Sequence, residues 1–323
     1  MPSLLSQLKT HSIVVADTGD LEAIRRFAPH DATTNPSLIL SAVRSGQPAA
    51  LLDELVQRAR AFQDGLEAAV EDVCDRLCVA MGSQILQQVP GKVSTEIDPR
   101  LSFNAQASID KARRLVELYE RAGMDCERIL IKLAATWEGI RAAQVLEREG
   151  IQCNLTLIFS FVQARACAEA GAYLISPFVG RILDWHRAAH PEIDFEPKAE
   201  PGVQQVSAIY HFLRRHDYPT VLMGASFRNS GEILALAGCD RLTISPALLE
   251  ELDSRSGTVI QALVDTQERQ ERPAPVSEAE FRWQLNEDPM ATQKLAEGIR
   301  GFQRDHRALQ GLVRERLVQA GVG

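Results

Sequence analysis

Long apolar runs are missing from this chain. The longest, around "LTLIFSFV", falls far short of the ~20 residues that a membrane helix needs. The start, "MPSLLSQLKTHSIVVADTG", does not read as a secretory signal, because Lys9 follows the first leucines and the apolar run Ile13–Ala16 is too short. Cysteine is sparse and unpatterned: six residues, at 74, 78, 126, 153, 167 and 239, contain no CxxC pair. In a chain of 323 residues this argues for reduced thiols in the cytoplasm rather than a disulfide scaffold. Without secretion, the sequon Asn154-Leu155-Thr156 carries no glycosylation meaning. Basic runs are absent, and the net charge is -8. Both facts argue against nucleic acid and membrane surfaces as partners, while leaving room for a local basic patch that holds a phosphate. No low-complexity stretch or clear linker interrupts the chain, so residues 1–323 read as one domain.

What is present is a repeat of local grammar. A helical segment of about a dozen residues ends at a glycine, and an apolar strand follows. In "SIDKARRLVELYERAG", Ser108 is a candidate N-cap, and Ile109, Ala112, Val116 and Tyr119 fall on one face before Gly123. Segments ending at Gly150, Gly171 and Gly238 repeat the pattern. Eight strands follow from it: "SIVVADTG", "DATTN", "VSTEI", "RILIKLA", "CNLTLI", "LISPFV", "TVLMGAS" and "RLTISP". Strict βα alternation implies a parallel sheet with right-handed crossovers, and eight units point to an α/β (β/α)8 barrel. A doubly wound open sheet is the alternative. Residues 1–11 read as a short amphipathic helix, and the interval 35–93 as two or three helices. Residues 278–320 read as long helices with an apolar stripe at Met290, Leu295, Ile299 and Phe302. Residues 186–202 and 269–277 read as polar, proline-bearing loops.

One strand breaks its own apolar pattern. Lys132 sits among Ile129, Leu130, Ile131 and Leu133. Residues i and i+2 of a strand share a face, so Lys132 points with Leu130 and Ala134, away from Ile131 and Leu133. With the branched residues against the helices, the lysine faces the barrel interior near its C-terminal mouth. The same parity groups Ser94 with Glu96, Asn154 with Thr156 (opposite Cys153, Leu155 and Leu157), and Ser176 with Phe178. It also groups Gly224, Ser226 and Arg228, while Asp17 and Asn35 end the first two strands. Alone, a buried lysine is more often a core residue whose head reaches solvent. Surrounded by carboxylates, amides and hydroxyls at one mouth, it is a candidate nucleophile.

A lysine among apolar walls has its charged form disfavoured, and its free amine can attack a ketone to form a Schiff base. The iminium is an electron sink that permits cleavage between the α and β carbons. Glu96 suits the proton shuttle that iminium formation needs, and Asp17 suits the base for a β-hydroxyl. Asn35 and Asn154 are neutral hydrogen-bonders for sugar hydroxyls. No metal is needed. His186 and His190 are four apart but lack the glutamate of HExxH, so they read as solvated; Cys74 and Cys78 read as apolar packers on one helix face.

"VVADTGD", "DATTNPSLIL", "STEID", "RILIKLA", "GIQCNLTLIFS", "ISPFVGRILDW", "GASFRN", "AGCDRLTISP" and the C-terminal "DPMATQKLAEGIR" resemble the transaldolase family, in order and through the whole chain. The resemblance implies a circularly permuted class I aldolase-type TIM barrel with extra N- and C-terminal helices, no cofactor, and a possible homodimer. It implies Lys132 as the Schiff-base lysine, Glu96 as acid/base through a water placed by Thr156, and Asp17 as acid/base for the cleaved hydroxyl. It implies Asn35 and Asn154 as binders of a dihydroxyacetone unit. Ser176, Arg181 and Arg228 would hold the phosphate of a sugar-phosphate substrate, with Ser226 helping and Phe178 lining the pocket. Two alternatives stay open: an aldolase that releases free dihydroxyacetone, and a barrel that binds sugar phosphates without chemistry. The second would normally lose the lysine or a carboxylate, and neither is missing here.

Overall fold

A computed structural model describes residues 2–60 and 65–322. Eight strands are present in chain order: β1 (Ile13–Asp17), β2 (Asp31–Thr33), β3 (Val93–Glu96), β4 (Ile129–Ala134), β5 (Cys153–Ile158), β6 (Leu174–Pro177), β7 (Val221–Gly224) and β8 (Arg241–Ile244). They pair in that order, all parallel, and β8 closes on β1. The fold is therefore a (β/α)8 barrel, as the alternation predicted.

The parity argument holds along β3 and β4. Val93, Ile131 and Leu133 join Ile109, Ala112, Leu115 and Ile140 in the layer between barrel and helices. On the opposite face, Val15, Leu130, Leu174 and Met223 pack together inside the barrel and form its floor. Polar side chains stand above that floor. The four glycines predicted to end helices, Gly123, Gly150, Gly171 and Gly238, all have positive φ, where a Cβ would be strained.

Four local readings are corrected. Helix Ala105–Arg121 begins one turn early, capped by Asn104, and the buried Ser108 hydroxyl donates instead to the Leu101 carbonyl at 2.9 Å. β2 stops at Thr33. Asn35 lies beyond it, and its side chain caps helix Pro36–Ser45 by accepting the Leu38 N–H at 2.9 Å. The segment read as a loop from 186 is helical to Ala189, and a new helix starts at Pro201.

Leu157 is the fourth. The β5–β6 register shifts between Leu155 and Ile158, and Leu157 takes a left-handed φ of 57°. This bulge breaks the alternation. Leu157 leaves the helix-facing layer and packs with Phe159, Phe178, Met290, Leu295 and Phe302.

The segments outside the barrel follow the expectation. Helix Leu4–Leu8 lies at the N-terminus. Helices Pro36–Ser45, Ala49–Ala59 and Leu66–Leu86 fill the β2–β3 interval, within which residues 61–64 lie outside the description. Helices Glu278–Glu287 and Pro289–Gln319 end the chain. The last helix lays Met290, Leu295 and Phe302 across the barrel mouth. A Cβ at Gly298 would lie 2.6 Å from Leu157 Cδ2, so the missing side chain lets the helix close onto the bulge.

Candidate active site

Pairing places Glu96 beside Lys132, Lys132 beside Asn154, and Ala134 beside Thr156 on neighbouring strands. Lys132 is buried. Its Nζ lies 3.1 Å from Glu96 Oε2 and donates to the Thr34 carbonyl at 3.4 Å. Glu96 Oε2 has no well-directed hydrogen bond among the described residues, so its contact with the ammonium is one of charge. The lysine is therefore walled by a carboxylate as well as by apolar groups. Burial pushes the Glu96 carboxyl up from its ordinary value, and the Lys132 charge opposes that shift.

A cavity opens above the floor. Asp17, Asn35, Lys132, Thr156, Arg181 and Phe302 are among its walls. Asp17 Oδ1 accepts from Thr33 Oγ1 at 3.0 Å, and the Thr33 hydroxyl is 3.0 Å from that of Thr243. The Asp17 carboxyl is also raised by burial, against Lys132, the Thr33 hydrogen bond and Arg181. Thr156 Oγ1, like Glu96 Oε2, is buried without a hydrogen-bond partner among the described residues. Two such groups near the lysine suit a bound water.

The amides separate. Asn35 lines the cavity with its oxygen spent on the helix cap. Asn154 is fully buried beneath. Its Nδ2 donates to Ser94 Oγ at 3.0 Å, and its Oδ1 accepts from Ser176 Oγ at 2.8 Å. One amide N–H of Asn154 remains. Ser176 lines the same cavity as Arg181 and Ser226, and its hydroxyl donates to Asn154.

The remaining groups form the rim. The Arg181 guanidinium lies 4.9 Å from the Phe178 ring and 5.7 Å from that of Phe302. Burial and then the Arg228 charge lower its pKa from the ordinary guanidinium value. Arg228 is exposed and grips Asp184 through both oxygens, with Nη2 to Oδ2 at 2.7 Å, while its Nη1 reaches Ser226 Oγ at 3.4 Å. The β6 and β7 loops are stitched by backbone: Val179 N–H donates to Ala225 O at 2.8 Å and Gly180 N–H to Ser226 O at 3.0 Å. Gly180 is required for this approach, because a Cβ there would meet Ser226 O and Arg228 Cγ, each at 2.6 Å.

Several contributors escaped the sequence reading. Thr33 reaches Asp17 only because β1–β2 pairing sets Asp17 opposite it. Phe302 was legible as part of an apolar stripe, but its contact with the lysine, 5.9 Å from ring to Nζ, depends on how the last helix folds back. Asp184 and Gly180 lay inside a motif that was quoted for its arginine.

A parallel eight-stranded barrel with a buried lysine, an adjoining carboxylate and a second carboxylate across one cavity defines a class. It is the lysine-bearing barrel equipped for carbonyl chemistry. The sequence matches the Transaldolase/Fructose-6-phosphate aldolase family over residues 14–313, and the chain belongs to that family. It is 58% identical to a transaldolase of Aeromonas salmonicida (strain A449) over 317 residues, covering 98% of this chain and 100% of the relative. Transaldolases of Aliivibrio salmonicida (strain LFI1238) and Vibrio vulnificus (strain YJ016) match over the same shares at 56% and 54% identity.

Proposed function

We infer that this chain is a transaldolase that carries a dihydroxyacetone unit on Lys132. The observation that carries the reading is the lysine itself, held on the inner face of β4, 3.1 Å from Glu96 and at the wall of the Asp17 cavity. The ε-amine attacks the ketone carbon of a ketose phosphate, sedoheptulose 7-phosphate or fructose 6-phosphate. Glu96, with a water held by Thr156, moves the protons as carbinolamine becomes iminium. Asp17 then takes the proton of the β-hydroxyl, the bond between the α and β carbons breaks toward the iminium, and the aldose phosphate leaves. The enamine that remains adds to the aldehyde of glyceraldehyde 3-phosphate or erythrose 4-phosphate, Asp17 returns the proton, and water releases the new ketose. Asn35 and the spare N–H of Asn154 bind hydroxyls of the three-carbon unit, and Ser94 and Ser176 hold the Asn154 amide for that task.

The phosphate goes to the rim. Arg181 and Arg228 stand close enough to repel; Asp184 pairs with Arg228, and Glu96, Asp17 and Asp184 offset part of the Arg181 charge. A dianion there relieves their repulsion, with Ser226 as a further donor. Six free thiols, four of them buried, accord with a cytoplasmic setting. No helix among the described residues is long and apolar enough to cross a membrane.

Borohydride added with fructose 6-phosphate tests the central step. The enzyme should be inactivated irreversibly, and mass spectrometry should place the added mass of the three-carbon unit on Lys132. Lys132→Arg should be inactive, because a guanidinium stays protonated and cannot attack a carbonyl. Label on another lysine, or full activity in Lys132→Ala, would overturn the reading. Running the assay with and without an aldose acceptor separates transfer from release of free dihydroxyacetone.

A further inference from the structure

Behind the Arg228 rim lies a second pair of carboxyl groups that this chemistry does not use. Glu200 precedes helix Pro201–Arg215, and Glu232 lies in the first turn of helix Ser230–Ala235. They are 2% and 0% exposed. One oxygen of each is engaged by the β7 loop. Glu232 Oε2 accepts the Arg228 backbone N–H at 2.6 Å, and Glu200 Oε1 accepts from Asn229 Nδ2 at 3.3 Å. The other two, Glu232 Oε1 and Glu200 Oε2, are buried without a partner among the described residues. The two carboxyls thus hold adjacent residues of one loop, Arg228 and Asn229.

The charges around them do not explain the pairing. Arg187, on helix Val179–Ala189, is the cation nearest Glu200, at 4.0 Å and half exposed. Asp184 on the same helix is taken by Arg228. Lys198, in the turn Pro197–Ala199, makes no ion pair with either glutamate among the described residues. On the far side, Glu251 of helix Pro246–Ser254 adds a negative charge, held by Ser230 at 2.7 Å and by Arg255 at 2.7 Å. Ionised carboxylates only accept hydrogen bonds. Two of them buried together repel, and each leaves an oxygen orphaned. One proton between them turns one into a donor and satisfies both. Burial, and then the neighbouring Glu200, push the Glu232 carboxyl well above the ordinary carboxylate range.

We infer that Glu200 and Glu232 share a single proton, and that this proton fixes the backbone of residues 226–229, making both glutamates positioning residues for Arg228. The inference rests on the reading of Arg228 as a phosphate ligand. While the proton is present, Glu232 stays in place and anchors the Arg228 N–H. When it leaves, two carboxylates face each other, one swings away, and the loop loses its anchor. The device acts on substrates that carry a phosphate and spares those that do not.

The test compares wild type, Glu232→Gln and Glu232→Ala from mildly acidic to alkaline pH. KM is measured for fructose 6-phosphate and for unphosphorylated fructose, and amide hydrogen exchange, corrected at each pH for the intrinsic base-catalysed rate, is followed in residues 226–229. The glutamine amide can donate to Glu200 while its oxygen still accepts from Arg228, so it copies the protonated state. In wild type, KM for the phosphorylated donor should rise several-fold with pH as loop exchange accelerates, with fructose unaffected. Glu232→Gln should be flat in both readouts, and Glu232→Ala should be raised at every pH. A glutamine variant that keeps the alkaline rise, or is as impaired as alanine, overturns the inference. If exchange behaves as expected but phosphorylated and unphosphorylated donors move together, the shared proton stands and the phosphate role of Arg228 falls.

Discussion

Replacing Thr33 by valine removes one hydroxyl and keeps the shape, and the structure says what should follow. Thr33 Oγ1 donates to Asp17 Oδ1 at 3.0 Å and is itself 3.0 Å from Thr243 Oγ1. The three groups form a chain in which Thr243 donates to Thr33 and Thr33 to the carboxylate. Burial already favours the neutral form of Asp17; Lys132, then this hydrogen bond and then Arg181 oppose it. A hydrogen bond to a charged group contributes ~1.5–3 kcal/mol. Its loss should cut the ratio of ionised to neutral Asp17 at a fixed pH by roughly 10- to 150-fold. A base must be ionised to accept a proton, so the acid limb of kcat/KM should move to higher pH, and activity should recover toward wild type as the pH is raised. The assay is a pH profile of fructose 6-phosphate turnover coupled to the acceptor, in Thr33→Val beside wild type. Thr243→Val should shift the limb in the same direction and less far. An equal loss of activity at every pH would refute the argument, because it would make Thr33 a spacer rather than an electrostatic partner. Recovery with pH cannot arise from misplacement alone.

Other expectations follow from the same geometry. Arg228→Ala should lower kcat/KM for phosphorylated donors by roughly 10- to 150-fold, nearer the low end because Asp184 already engages the fork, and should barely change unphosphorylated fructose. The ratio of the two effects decides the matter, and equal losses would make the arginine structural. Gly180→Ala pushes a Cβ against Ser226 O and Arg228 Cγ, so it should raise KM for phosphorylated donors while borohydride trapping on Lys132 survives. Phe302→Ala removes a buried ring from the mouth. It should cost ~3–5 kcal/mol in denaturant unfolding, and urea titration reads this directly.

The sequence was most legible where a period governs geometry. A strand alternates every residue, so once Ile131 and Leu133 were assigned to the helix layer, Lys132 had to face inward, and it does. The same rule failed at Leu157, where the chain inserts a left-handed residue into β5. Nothing at Leu157 announces the bulge: the one asparagine of "CNLTLIFS", Asn154, lies three positions earlier, and the residue that takes positive φ is a leucine, which tolerates it poorly. The strain is compensated by a contact distant in sequence, the last helix closing on Leu157 at Gly298. Partnerships were less legible than positions. Asn154 and Ser176 both read as interior residues, but their bond to each other depends on the β5–β6 register. Asp184 was invisible as a partner for Arg228, because a helix residue and a loop residue 44 positions apart meet only through the stitched backbone of the two loops.

The distribution of charge explains why such a barrel keeps polar groups that stability alone would replace. A buried ion pair such as Lys132–Glu96 gains no clear advantage over apolar residues of the same volume, since desolvation offsets the attraction. Two further buried carboxyls, Asp17 and Glu232, have pKa values raised above the ordinary carboxylate range, so each contributes stability below its unfolded pKa and loses it as the pH rises through the folded one. These groups thus make the fold less stable toward neutral pH than an apolar filling would. Part of that cost is limited by hydrogen bonds above the floor: Asn154 to Ser94 and Ser176, and Asp17 to Thr33, which is itself bonded to Thr243. Groups so constrained cannot reorganise during a reaction, and that rigidity is what preorganisation requires. The rim follows the opposite rule. Arg228 is exposed and paired with a carboxylate it can share with a ligand, so the part of the cavity that must admit and release phosphates is held by contacts that water can replace.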